Sequence, residues 1–207
     1  MGVVVDPQHD RFSGGNPLLQ VSWSPSSLSL YMRDPRLYYL ERVEGWRVDP
    51  PPAEMAFGKV YHAALERFDN WRLSGEPVQD ALHEAIRFAW DQAQSLDGWT
   101  LDEIAEHSGK AGSYRNTESL IRSLVWYVEE GMGTDEDPVQ PIWLGDQPAV
   151  EVEFAIPLGI ETPYGEEYVI SGILDGIVEI GGERYVRERK TTGSQLGPYY
   201  KSRFDID

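Results

Sequence analysis

Cysteine is absent from this 207-residue chain. That excludes disulfides, thiolate zinc sites and iron–sulfur clusters. Long apolar runs are missing as well, since no stretch approaches the roughly 18 uninterrupted apolar residues of a membrane span. The opening MGVVVDPQHD has no basic segment followed by an apolar one, so no signal peptide is expected. Basic residues are in short supply, with 18 Lys+Arg against 35 Asp+Glu and a formal net charge of −17. Phosphate backbones are bound chiefly by cations, so this balance argues against tight non-specific coating of DNA. It leaves room for carboxylates that collect metal ions. A soluble cytoplasmic protein with no membrane contact is the simplest reading.

What is present fits an ordinary globular domain: 41% hydrophobic and 26% charged residues. Residues 1–20, rich in Gly, Pro, Asp and Gln, read as a flexible arm, and 21–207 as a single domain. Ser24 or Ser26 is a plausible N-cap for a helix bearing Leu28, Leu30 and Tyr31, and Pro35 ends it and opens another over Arg36–Val43. Apolar residues at helical spacing predict a helix from Ala53 to Leu73, stopped at Ser74-Gly75, and a second from Pro77 to Gln94. Ser95–Ser113 carries no clear period. Asn116 or Thr117 caps a helix through Glu130. The domain thus divides into a helical part (22–130), a Gly/Pro/Asp connector (131–148) and a β-rich core (149–192), where the period changes to two. Helices first and strands last predict an α/β fold, a small mixed β-sheet flanked by helices.

The strands carry the chemistry. Tyr168–Ile180 and Glu183–Lys190 flank Gly181-Gly182, a two-residue hairpin turn. With that turn, Ile180 faces Glu183, and one sheet face carries Glu179 opposite Arg184, Ile177 opposite Val186, Asp175 opposite Glu188 and Ile173 opposite Lys190. Two carboxylates face to face among apolar neighbours are unfavourable unless a cation neutralises them. Hard cations such as Mg²⁺ and Mn²⁺ prefer such oxygens. Lys190 beside the pair suits orienting an attacking water or stabilising charge on a phosphate. The competing reading is a solvated sheet edge, and a bulge would separate the two acids.

The run ISGILDGIVEIGGERYVRERKTT resembles the core of the PD-(D/E)XK nucleases, and among them the RecB-like exonuclease branch, where G-x-x-D on one strand is followed by E-x-K-T-T on the next. Gly172-Ile173-Leu174-Asp175 and Glu188-Arg189-Lys190-Thr191-Thr192 match as they stand. Upstream, Asp34-Pro35-Arg36-Leu37-Tyr38-Tyr39 resembles a segment whose first residue, a cysteine in some members, ligates an iron–sulfur cluster; Asp34 rules that cluster out here. Gly58, His62 and Glu66 match a G-x-x-x-H-x-x-x-E helix whose histidine binds metal in the family. The resemblance spans most of residues 22–195.

It implies a restriction-endonuclease-like core and Mg²⁺- or Mn²⁺-dependent hydrolysis of DNA phosphodiesters, with exonuclease action. His62, Asp175 and Glu188 would be metal ligands together with the Arg189 backbone carbonyl. Lys190, Glu188 and Asp175 would carry catalysis, with Glu66 and Gln195 supporting them. Bottom-up, His62 and Glu66 also read as a surface pair, and Glu153 reads either as an outer contact or, with Glu151, as a solvated face. Arg33, Arg36, Arg42 and Arg47, interleaved with Tyr31, Tyr38, Tyr39 and Trp46, read as a DNA grip or as core aromatics with snorkelling arginines. Candidate DNA contacts are Arg33, Arg36, Tyr39, Thr191 and Thr192. The family's Q-x-x-x-Y helix is not matched: Gln195 and Tyr199 have its spacing, but Gly197-Pro198 break the helix. The expectation is that it follows Asp207, so that the chain is truncated or forms part of a larger nuclease, helicase or recombination assembly acting in repair, recombination or phage defence. The alternative function is a catalytically silent nuclease-fold module that binds DNA ends or proteins.

Overall fold

The computed structural model describes residues 2–5, 11–109 and 114–190. Short polar side chains and prolines set the helix starts. After β1 (Gly2–Val5) and β2 (Ser22–Trp23), helix α1 (Pro25–Arg33) begins where Ser24 Oγ accepts the Ser27 N–H and Pro25 fills the first turn. Asp34 ends α1 and caps α2 (Pro35–Tyr38) through the Leu37 N–H, and a single π turn, Tyr39–Val43, carries the chain to β3 (Trp46–Asp49). The long α3 (Ala53–Leu73) and the amphipathic α4 (Val78–Ala93) follow, with bounds close to those read from periodicity. Next come α5 (Leu101–His107) and α6 (Thr117–Glu129), the latter capped by Asn116. Helix α5 lies in the segment without a clear period; its sequence signal is the reciprocal Thr100/Glu103 capping box. Among the described residues no helix is long and apolar enough to cross a membrane.

The apolar stripes of these helices meet in one core. Phe57, Val60, Leu65 and Phe68 from α3 pack with Ala81, Ala85 and Ala89 from α4, Leu101 and Ile104 from α5, and Leu120 and Leu124 from α6. Each large side chain so buried contributes about 1.5–3 kcal/mol. Alanines along α4 let it approach α3 closely, and the buried Glu84 of α4 binds Arg67 of α3 and Arg87.

The connector continues with β4 (Gln140–Pro141) and the small β5 (Trp143–Leu144) and β6 (Gln147–Pro148) pair, then the sheet strands β7 (Val150–Glu161), β8 (Glu167–Ile180) and β9 (Glu183–Arg187). Strand β8 is the spine. β2 pairs with it in parallel at Val169 and Ile170, while β7, β4 and β9 pair antiparallel, so the sheet is mixed as expected. The Gly-Gly turn forms with φ of +61° and +88°, values that side chains resist, and it sets Ile180 against Glu183. The resulting register runs as expected from Ile180↔Glu183 to Gly176↔Arg187, where the ladder stops.

Within the first 20 residues, the described stretches make backbone pairings. Gly2–Val5 pairs with Trp46–Asp49, Phe12 bridges to Gln20, and Ser13 and Gln20 are buried. Backbone pairing and the hydrogen bond from Tyr38 Oη to Gln20 Oε1 hold a polar segment that hydrophobicity alone does not flag.

Candidate metal centre

Helix α3 turns its apolar stripe to the helical core and leaves His62, Glu66 and Asp69, spaced at i, i+4 and i+7, to share another face. His62 Nδ1 lies 3.6 Å from Asp175 Oδ2 on β8, and both side chains are mostly buried. The third member comes from β7. The pairs Val150↔Gly176 and Val152↔Leu174 put Glu151 across from Asp175. Glu151 takes a positive φ of +49°, which interrupts the strand's alternation. Ligand atoms of His62, Glu151 and Asp175 all lie within 4.8 Å of one another.

The electrostatics of this cluster suit a cation. Burial holds the His62 imidazole below its ordinary pKa of 6.5, and Arg189 and Lys190 push the same way against the attraction of Asp175 and Glu188. The ring is therefore biased toward the neutral form that can ligate. Burial also pushes the Glu151 carboxyl up from 4.5, reinforced by the like charges of Asp175 and Glu66. One imidazole nitrogen and two carboxylates, converging, form a nitrogen/oxygen donor set suited to a divalent cation.

Glu188 and Lys190 stand at the rim. Both are about half exposed, at 54% and 56%, and they pair with each other. The expected face-to-face opposition of Asp175 and Glu188 is not made as a ladder pair, because β9 ends at Arg187. Instead Asp175 Oδ2 accepts the backbone N–H of Arg189 at 2.6 Å. The backbone amide of Arg189 is thus joined directly to the cluster.

Arg187 and Arg189 turn away from Glu188, as strand alternation requires, and both bind Asp69 of α3. Gly176 makes room for this. A Cβ there would sit 3.1 Å from Arg187 Nη2 and 3.1 Å from the Ala149 carbonyl oxygen.

Of the other expected residues, Glu66 is half-buried near Glu151, whereas Glu153 is exposed opposite Ile173 and is not one of the three clustered residues. Arg33, Arg36 and Tyr39 are exposed on α1, α2 and the π turn. Tyr38 is core: it stacks on Trp23 at 5.5 Å, and Tyr31 meets both edge-on. Thr191, Thr192 and Gln195 lie outside the described residues. Sequence reasoning missed Glu151 as a site residue and passed over Asp69, although the i+7 spacing from His62 to a helix-borne acid was a usable signal.

Comparison with known families agrees with this geometry. The family model described as the PD-(D/E)XK nuclease superfamily matches residues 22–201, a span that contains the cluster, its rim and the helices that carry them. Neither the curated proteins nor the solved structures give a significant match. With well over half its length matched by that family model, the chain belongs to the PD-(D/E)XK nuclease superfamily.

Proposed function

We propose that this protein is a Mg²⁺- or Mn²⁺-dependent deoxyribonuclease of the RecB-like branch, acting as an exonuclease on linear DNA. The observation that carries the reading is the convergence of His62, Glu151 and Asp175, with ligand atoms within 4.8 Å of one another, beside a rim that holds Glu188 and Lys190. His62, Glu151 and Asp175 would hold the cation, and Glu188 and the Arg189 carbonyl would complete the set from the end of the hairpin. When bound, the cation neutralises charge on the scissile phosphate. Lys190 orients the attacking water and donates to charge developing on the phosphate oxygens. Glu66 adds a further acid beside Glu151, whose like charge adds to the demand for a cation, and Arg33, Arg36 and Tyr39 grip the DNA strand. DNA is the partner in this reading, within a larger recombination or defence assembly in the cytoplasm.

A second reading is favoured by one observation: Lys190 Nζ is already paired with Glu188. It makes the protein a nuclease-fold module that binds DNA ends without cutting them. Two measurements separate the readings. Calorimetric titration with Mn²⁺ should show one tight site that Asp175→Asn removes; no binding at millimolar Mn²⁺ would sink the metal reading. The wild type should degrade linear DNA in Mg²⁺ and spare covalently closed circles, and Lys190→Ala should be slower by about a hundredfold or more. Binding of Mn²⁺ and DNA ends without cleavage selects the silent module. Equal cleavage by wild type and Lys190→Ala points to a contaminant.

A further inference from the structure

The acid that joins helix to hairpin is not one of the three clustered residues. Asp69 is 1% exposed, and its carboxylate is shared by two guanidiniums. Arg187 Nη2 donates to Oδ2, Arg189 Nη2 donates to Oδ1 at 3.1 Å, and Arg189 Nη1 lies 2.9 Å from Oδ2. Arg189 Nη2 also donates to the hydroxyl of Tyr127 on α6 at 2.8 Å. The two arginines flank Glu188 in sequence, and the backbone N–H of the second is the one that binds Asp175.

From this arrangement we infer that Asp69 is a positioning residue for the metal centre, clamping residues 187–189 so that Glu188 and the Arg189 backbone face the cluster. The inference rests on the reading of that cluster as a divalent-cation site. Residues 188–190 lie beyond the end of the β8–β9 ladder, so cross-strand bonding does not fix their rotation. Two side chains on one side of an extended segment, held by one carboxylate, do fix it, and the residue between them must project from the other side. A bidentate guanidinium fork holds that orientation more tightly than a point charge would. His62 lies two helical turns before Asp69 on α3, so one rigid element supplies a ligand and also holds the strand end that carries Glu188 and the Arg189 backbone.

The test compares Mn²⁺ affinity and thermal unfolding of the full chain with those of Asp69→Asn, Arg189→Lys and the remote core variant Ile104→Ala. Each is titrated at a temperature where circular dichroism shows it folded. Loss of an outer partner of this kind weakens metal binding by about tenfold to a hundredfold, and that loss is expected for Asp69→Asn. On linear DNA its kcat should fall with little change in KM, because the clamp touches ligands and not substrate. Ile104→Ala should melt earlier and bind Mn²⁺ as the wild type does. Wild-type affinity in folded Asp69→Asn, or an equal loss in Ile104→Ala, overturns the inference. If Asp69→Asn does not fold, Arg189→Lys decides: it keeps the charge but gives up the fork, so weakened Mn²⁺ binding supports the clamp and unchanged binding refutes it. Failure of the wild type to bind Mn²⁺ would instead overturn the metal reading itself, and the inference with it.

Discussion

Glu151 combines two unfavourable features. Its φ of +49° is left-handed backbone, which costs a non-glycine residue about 1–2 kcal/mol. Its carboxyl is pushed up by burial and by the neighbouring charges of Asp175 and Glu66. Local conflicts of this kind persist where the surrounding fold enforces them, and they concentrate at functional sites. A bound cation would reverse the electrostatic half of the conflict, so the effect of removing the charge should depend on metal. Asparagine tolerates positive φ, so Glu151→Asn removes the charge without straining the backbone. In chelator the variant should be as stable as the wild type or slightly more so. At Mn²⁺ a hundredfold above its dissociation constant the wild type should gain about 2.7 kcal/mol, and the variant clearly less. Thermal melts with and without Mn²⁺ measure both, and equal gains would remove Glu151 from the ligand set.

At the scale of elements, α3 is braced twice, by Asp69 to the hairpin and by Arg67 to Glu84 of α4. Hydrogen bonds from Arg87 and then Arg67 hold the Glu84 carboxyl below its ordinary pKa of 4.5. A depressed folded-state pKa gives stability that is present above the unfolded value and lost as pH falls through the folded one. Glu84→Gln should therefore unfold at lower denaturant than the wild type near neutral pH. The gap should close as pH drops below 4.5, and a gap that stays constant in acid would show that packing, not charge, sets the difference. The elements themselves were largely legible. Ser24, Asp34 and Asn116 cap where short polar residues should, and Gly181-Gly182 fixed the β8–β9 register by counting. Helix α5 was hidden because seven residues carry too little periodicity, and β4 because two residues of edge pairing leave no pattern. Glu151 was hidden because no tight turn sets the β7–β8 register, which shifts between Pro157 and Glu161. Asp69 meets its arginines more than a hundred residues later in the chain, a distance over which local spacing is silent.

For the whole molecule, the proposed action on DNA has to account for how a chain of net charge −17 would hold a polyanion. Much of its limited basic inventory is already engaged. Arg187 and Arg189 are on Asp69, Arg67 and Arg87 on Glu84, Arg72 on Asp135, and Arg122 on Glu118. Arg33 and Arg36, exposed on the first two helices, stand apart from those pairs. The grip on DNA should then rest on a few phosphates and on the cation that neutralises the acidic cluster. Each phosphate neutralised adds about −0.7 to −0.9 to the slope of log affinity against log salt. With about three phosphates engaged, Lys190→Ala, used to prevent cleavage, should bind DNA in Mg²⁺ with a slope of about −2 to −3. Adding Arg33→Ala and Arg36→Ala should shallow the slope by about one for each phosphate no longer neutralised. Chelation should weaken binding outright, because the carboxylates of Glu151, Asp175 and Glu188 would then repel the phosphate. Fluorescence anisotropy across a salt series reads all three effects. A slope of about −6 or steeper, or binding indifferent to chelator, would mean that DNA is held by a basic surface away from the metal centre.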